Sequence, residues 1–179
     1  MWKDFKAPVA VIAFVVTLGV AMAGYSLYNR YLVEKPVQEE MSRVPGVQEV
    51  EINRENHKVT VTVTLEDMED FAPSYRDVDK LAKERFGEGN YSLEIKDTRN
   101  QELEEVYRGL QLYLYQGIAN NSFLWLNQEI NKVAREHQLK YKLSVDEDNL
   151  YLQLHKQGHY LYEVIKRGED NSSEPAVGR

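Results

Sequence analysis

The sequence predicts an α+β protein in which an N-terminal transmembrane helix precedes a small extracytoplasmic α+β domain. Two observations predict this fold class. Residues 7–28 contain no charged side chain and are apolar nearly throughout, whereas the rest of the chain alternates between helical and strand periodicities. The apolar stretch is long enough to cross a bilayer, and the roughly 150 residues after it suffice for one domain with a hydrophobic core.

The apolar stretch reads APVAVIAFVVTLGVAMAGYSLY. As a helix it would be roughly 33 Å long, which exceeds the roughly 30 Å thickness of a bilayer core. Trp2 and Phe5 precede it and tyrosines close it, and such aromatic rings favour the headgroup zone. We therefore predict a short cytoplasmic tail at 1–6, a single-pass signal anchor at 7–28 and a juxtamembrane connector at 29–35, with the domain outside the cytoplasm.

A cleaved signal peptide is the main alternative to the anchor. The run from Ala21 to Ala23 matches the small-residue pattern of a cleavage site, and cleavage there would release a secreted soluble binding module. Against cleavage, the apolar run continues to Tyr28 and is longer than the usual apolar region of a signal peptide. A buried core helix is a further alternative, although such helices usually carry a polar face. The anchor is the favoured interpretation.

Composition excludes several functional classes. The chain has 179 residues and a net charge of −7, and residues 1–28 contribute +1 of it, so the remainder carries −8. An acidic domain is repelled by nucleic acid, and we therefore expect no nucleic-acid partner. The chain has no cysteine, which excludes disulfides, thiolate metal sites and a lipid anchor on cysteine.

The first half of the predicted domain, residues 36–97, follows the order helix–strand–strand–helix–strand. The elements are a helix at 36–44, strands at 47–53 and 57–65 joined by a turn at 53–56, a helix from 75 to 86 capped by Ser74, and a strand at 91–95. In the second strand, valines alternate with threonines, which is typical of one buried and one wet face. The imperfect alternation of the first strand predicts a bulge or a late start.

This element order, over residues 36–96, is similar to that of small modules which assemble extracytoplasmic rings in spore-forming bacteria. It is also similar to that of some periplasmic lipid-associated domains. The resemblance covers about 60 residues and is one of element order only. Because no motif is shared, we carry over no functional residue and assign no family.

The second half, residues 100–167, contains a helical pair and a β-meander. The helices fall at 100–117 and 122–137, the strands at 141–145, 150–155 and 160–165, and the turns at 146–149 and 156–158. Apolar residues on both faces of the last strand predict a strand covered on both sides, or a short helix. The whole domain therefore spans 36–168, and the tail at 169–179, which lacks apolar content, is predicted to be disordered.

We find no motif with the spacing of a catalytic or metal site. His155 and His159 are four residues apart, but Gly158 places them across a turn as exposed histidines, and no third ligand is evident. The acidic loops at 66–70 and 146–149 lack the glycine of a calcium loop. We therefore assign no catalytic, cofactor-binding or metal-binding residue, expect no cofactor, and predict that the protein is not an enzyme.

The leading functional hypothesis is a membrane-anchored protein of the bacterial cell envelope whose outer domain mediates protein–protein interaction or assembly. The expected partners are the membrane, through residues 7–28, and another protein or a second copy; we identify no small-molecule substrate. The strand at 57–65 is a candidate for pairing through an open sheet edge. The alternative is an envelope enzyme that acts on cell-wall polymer. It would need one cleft, walled by tyrosines and lined by Asp67, Asp70, Asp146 or Asp148.

Overall fold

The computed structural model describes residues 7–28, 35–55 and 58–168. The predicted cytoplasmic tail, most of the connector and the C-terminal tail at 169–179 lie outside the described residues. The elements are α1 Ala7–Tyr28, α2 Lys35–Met41, β1 Val47–Glu55, β2 Lys58–Leu65, α3 Ala72–Phe86, β3 Tyr91–Lys96, α4 Gln101–Ala119, α5 Phe123–Glu136, β4 Lys140–Val145, β5 Asn149–Lys156 and β6 His159–Lys166. The α+β class and the predicted order of elements after α1 are confirmed.

The apolar N-terminal stretch forms a single helix, α1. Its side chains are described from Val11 to Gly24, and all of them are exposed. The alternative of a buried core helix is therefore wrong for this stretch. Within the described residues, no helix is long and apolar enough to cross a membrane.

The first three strands form a sheet of order β1–β2–β3 in which β1 pairs antiparallel and β3 parallel to β2. One face of β2 is buried against α2 and α3, because its valines point to that side and its threonines to the other. The core of this half includes Val37, Met41, Val50, Val59, Val61, Val63, Leu65, Val78 and Ala82. The predicted division of β2 into a buried and a wet face is confirmed.

Two details of this sheet differ from the prediction. The predicted turn at 53–56 is wrong, because residues 53–55 continue the strand and pair with residues 60–58 of β2. Residues 56–57, between β1 and β2 in the sequence, lie outside the described residues. The prediction that β2 is an open edge is also wrong, since β2 is the central strand. The pairing register shifts between Val47 and Glu49, as a bulge there would produce, and β1 begins at Val47, so the alternative of a late start is wrong.

Ser74 does not cap α3 as predicted. The helix begins earlier, at Ala72, whose amide donates to the Asp70 carboxylate over 3.1 Å. The Ser74 hydroxyl is buried and donates instead to the carbonyl of Pro45 over 2.7 Å, which fixes the turn between α2 and β1. By contrast, Asn100 caps α4 by accepting from the amide of Leu103.

The last three strands form an antiparallel meander, β4–β5–β6, with α4 and α5 on one face. Leucines at 150, 152 and 154 pack toward these helices. The helices approach closely at Gly117, where a Cβ would come within 2.8 Å of a methyl group of Leu126. A glycine at this position therefore sets the spacing of the helical pair.

The other face of the meander packs against the first half of the domain. Tyr151, Gln153, Tyr160 and Tyr162 are buried there. The Tyr162 ring stacks on Phe71 with ring centroids 4.5 Å apart and planes inclined by 15°. Residues 160–165 thus form a strand covered on both faces, and the alternative of a short helix is wrong.

Candidate functional site

A cavity of about 850 Å³ lies between the loop that follows β2 and the face of the meander that carries the buried tyrosines. One wall is the acidic loop at 67–69. The opposite wall is formed by residues 140–142 of β4, by Gln153 and His155 of β5, and by the β5–β6 turn at 156–159. The volume lies in the range typical of ligand pockets.

Strand register determines which side chains reach this cavity. Lys140 pairs with His155 and Lys142 pairs with Gln153, so these four side chains share one face of the sheet. The residue between the two lysines, Tyr141, packs with α5, where its hydroxyl bonds to Asn127. The alternation of β4 therefore divides a cationic cavity face from an apolar helix face.

The acidic loop is held in place by side chains of the meander. The Tyr162 hydroxyl accepts from the amide of Met68 and donates to the carbonyl of Glu66, each over 3.0 Å. The Gln153 side chain donates to the carbonyl of Met68 and accepts from the amide of Phe71. Because these bonds satisfy several backbone groups of one short segment, the loop forms a fixed wall.

His155 is fully engaged by its neighbours. Its Nδ1 lies 3.0 Å from a carboxylate oxygen of Asp67, and its Nε2 lies 2.6 Å from the amide nitrogen of Gln153. An amide nitrogen only donates, so Nε2 accepts and Nδ1–H donates to Asp67. Burial lowers the pKa of His155, with Lys140 acting in the same direction and Asp67 opposing. Neither ring nitrogen is free to act as a general base.

The net charge of the side chains that line the cavity is opposite in sign to the net charge of the whole protein. Among the described residues, three lysines and two carboxylates line it, whereas the chain carries a net charge of −7. Lys142 bonds to Asp70 over 3.0 Å, and Lys156 bonds to Glu102. Lys140 is exposed and has no ion-pair partner within the part of the chain that the structure describes. The β4 wall therefore presents an uncompensated positive charge.

The two edges of the meander differ in accessibility. At β6, the amide of Tyr160 donates to the Thr98 hydroxyl over 3.1 Å and the amide of Tyr162 donates to the Asp97 carboxylate over 2.8 Å. Arg99 bonds to the carbonyl of Tyr162, so the segment 97–99 closes this edge. At β4, no hydrogen bond within the described part of the chain reaches the outer edge.

The edges of the first sheet offer no comparable site among the described residues. Gln38 of α2 donates to the carbonyl of Val50 and thereby covers part of the β1 edge. The outer edge of β3 pairs with no other described strand, but no residue of β3 lines the cavity. An open edge and a cavity coincide at β4.

The acidic residues of the predicted enzyme cleft do not come together. Asp67 lines the cavity and Asp70 lies at its margin, paired with Lys142. Asp146 lies at the other end of β4, where it accepts from the Tyr151 hydroxyl over 2.7 Å and pairs with Arg76. Although burial opposes it, the bond from Tyr151 and backbone amides lowers the pKa of Asp146. The prediction of one shared cleft is wrong.

The predicted histidine pair is placed partly as expected. His155 and His159 do flank a turn, but His155 is half-buried rather than exposed. The exposed His159 places its Nδ1 2.8 Å from the carbonyl of Thr98. Within the ranges that the structure describes, no cluster of three or more histidine, aspartate or glutamate side chains could hold a metal ion.

The lysines of β4 were not predicted as site residues. Their signal in the sequence is the alternation of Lys140 and Lys142 with Tyr141 and Leu143, which also occurs in ordinary surface strands. Comparison of the sequence with protein-family models and with curated proteins finds no match.

Proposed function

We propose that this protein is a single-pass membrane protein whose extracytoplasmic domain binds another polypeptide in the bacterial cell envelope. The observation that carries the proposal is the open edge of β4 beside the 850 Å³ cavity. An unpaired strand edge presents a row of N–H and C=O groups that an extended polypeptide can pair with. The adjoining cavity accommodates the side chains of that polypeptide.

The anchor is supported by the sequence of residues 7–28 and by the exposure of α1. The large apolar side chains described in α1, from Val11 to Met22, are 50–68% exposed. A fully exposed aliphatic side chain forgoes about 1.5–3 kcal/mol relative to an apolar environment. A bilayer would supply that environment to the exposed apolar side chains of this uncharged helix.

The link between anchor and domain restricts where partners can be. Six residues, 29–34, separate α1 from α2. A segment of this length reaches at most about 20 Å. The proposed partner is therefore another membrane or envelope protein, or a second copy of this chain.

The proposal is one of binding rather than catalysis. A general base needs a free acceptor near the substrate, but both nitrogens of His155 are engaged by Asp67 and Gln153. The carboxylates of Asp67 and Asp146 lie at separate ends of β4. The two carboxylates that line the cavity, those of Asp67 and Glu69, belong to the same loop and lie on one wall, whereas a glycosidase places its two carboxylates on either side of the bond that it cleaves.

Site-specific photocrosslinking in intact membranes tests the binding role. A photoreactive residue at Val145, on the outer strand of the meander, should give a discrete adduct with a partner. The same residue at Lys132, exposed on α5, is the matched control and should give no such adduct. Recovery of monomer alone from both positions, or of the same adducts from both, would contradict the proposal.

Insertion of charges into α1 tests the anchor. One arginine near the middle of a spanning helix costs about 2.5–3.5 kcal/mol on insertion scales, so Val16→Arg with Leu18→Arg should cost about 5–7 kcal/mol. We expect the parent chain to stay in the membrane fraction through an alkaline carbonate wash and the double variant to be released. Release of the parent chain would instead support cleavage after Ala23 or a peripheral association, which N-terminal sequencing separates.

A further inference from the structure

We infer that the segment bound at β4 is an extended polypeptide in which acidic and apolar side chains alternate. This inference rests on the proposed function, because it specifies the chemistry of the polypeptide that the open edge receives. It follows from the different character of the two faces of β4, which an added strand would extend.

An incoming strand places its side chains alternately on the two faces of the sheet that it joins. On the cavity face it would lie beside Lys140, Lys142 and Ser144, which pair with His155, Gln153 and Tyr151 of β5. On the helix face it would lie beside Tyr141, Leu143 and Val145, which pair with the leucines of β5. Neighbouring side chains on one face interact directly, so each face of β4 selects its own type of partner residue.

The cavity face selects acidic residues. Lys140 has no ion-pair partner among the described residues, and Lys142 has only a partly exposed salt bridge to Asp70. A carboxylate beside either lysine would gain an opposite charge, whereas a lysine or arginine in that position would be repelled. The acidic loop, with Asp67 tied to His155, lies across the cavity rather than on the strand edge.

The helix face selects apolar residues. Val145 is 37% exposed although its neighbours on this face belong to the core of the second half. Tyr141 and Leu143 are half-buried against that core. An apolar side chain added at the edge would therefore continue an existing hydrophobic surface and cover Val145.

Two alternatives to peptide binding at the β4 edge predict different outcomes of the test. Lysines on an edge strand can serve only to prevent unwanted pairing, in which case no peptide should bind. A second copy could instead supply the strand, since β1 contains the alternating run Glu49-Val50-Glu51-Ile52. In this chain, however, Val50 is buried and its carbonyl accepts from Gln38, so β1 is not available without rearrangement.

The test uses the full chain in detergent micelles and a fluorescein-labelled peptide of four Glu-Val repeats, with binding followed by fluorescence anisotropy. We expect saturable binding with a Kd in the micromolar range. A peptide of four Lys-Val repeats should bind at least tenfold more weakly. The same Glu-Val peptide with alternate amides methylated keeps its charge but loses strand hydrogen bonds, and should also bind at least tenfold more weakly.

The matched protein variants are Lys140→Glu and Lys132→Glu. Lys140 is exposed and makes no ion pair among the described residues, so its reversal should leave the fold intact, as circular dichroism can verify. We expect Lys140→Glu to weaken binding at least tenfold and Lys132→Glu, on α5, to leave it unchanged. Equal binding by both variants, or undiminished binding of the methylated peptide, would overturn the inference.

The remaining outcomes separate this inference from the function on which it rests. Self-association that Lys140→Glu abolishes, without peptide binding, assigns the edge to a second copy and overturns the inference. If the Glu-Val peptide does not bind but crosslinking from Val145 yields a discrete partner, the alternating composition is refuted and the binding role stands. If both experiments fail, both proposals fall.

Discussion

In the first sheet, β2 buries one face against α2 and α3 and leaves its threonines half-exposed, whereas in the second sheet β5 is buried on both faces. Each strand alternates two residue types, valine with threonine in β2 and leucine with tyrosine, glutamine or histidine in β5. The polar members of β2 contact water, but Tyr151 and Gln153 of β5 hold the two halves of the domain together. Alternating polar residues in a strand can therefore mark either a face that contacts water or a face that joins two halves of a domain.

Truncation of Tyr162 should have the largest effect on this comparison. Tyr162→Ala removes a stacked ring and leaves the Met68 amide and the Glu66 carbonyl without their partner. Loss of a buried aromatic side chain typically costs about 3–5 kcal/mol. By contrast, Thr62→Ala on the wet face of β2 should change the free energy of unfolding by less than about 0.5 kcal/mol. Near-UV circular dichroism during thermal unfolding of the full chain in mild detergent measures both.

Tyr162→Phe separates packing from hydrogen bonding in the same position. It keeps the ring and removes only the hydroxyl, so we expect a cost of about 1–3 kcal/mol. Equal stability of the parent chain and the Tyr162→Ala variant would show that the two halves do not depend on this contact. The polar face of the second sheet would then contribute no more to stability than the threonine face of β2.

Two glycines of α4 provide a smaller test of the helical cover on the second sheet. A Cβ at Gly117 would meet Leu126 at 2.8 Å, so Gly117→Ala should destabilise the protein by about 1–3 kcal/mol. Gly109 has open space around it, and Gly109→Ala should stabilise by up to about 1 kcal/mol through helix propensity. Opposite signs in thermal unfolding are expected. The same sign for both would place the contact between α4 and α5 elsewhere.

The smallest expected effect is a pH dependence at the junction of the two halves. Burial holds the pKa of His155 below its ordinary value of about 6.5, so near that pH the folded chain binds fewer protons than the unfolded chain. The contribution of His155 to stability is therefore complete above about pH 6.5 and is lost as the pH falls below it. His155→Gln should flatten the decline in the free energy of unfolding as the pH falls below about 6.5. A decline that is equally steep in the parent chain and in the His155→Gln variant would contradict this assignment.

Much of the fold was predictable because the periodicities of these segments are strong. The valine–threonine alternation of β2 and the leucine stripe of α4 each depend on local sequence alone. Strand order was not predictable in the same way. The crossover through α3 places β3 beside β2 and so makes β2 central, which is a tertiary outcome. Ser74 failed as a cap because its hydroxyl found a partner 29 residues away in sequence, at Pro45.

The candidate site was less predictable than the fold. Asp67 was among the residues predicted for an enzyme cleft, but its partner His155 lies on a different element and was predicted to be an exposed turn residue. Gln153 carries no signal in the sequence, although it holds both the acidic loop and His155. These roles arise from contacts between segments that are distant in sequence. The identity of one residue and its immediate neighbours therefore does not predict them.

The closure of β6 by residues 97–99 has a consequence for stoichiometry. A sheet with two open edges can accept a strand on each side and continue to grow into a fibre. Here Asp97 and Thr98 accept hydrogen bonds from amides of β6. A further strand could therefore pair with the meander at β4 but not at the opposite edge. If β4 binds a polypeptide as proposed, recognition there is limited to one segment per domain, and this sheet would end a chain of paired strands rather than extend it.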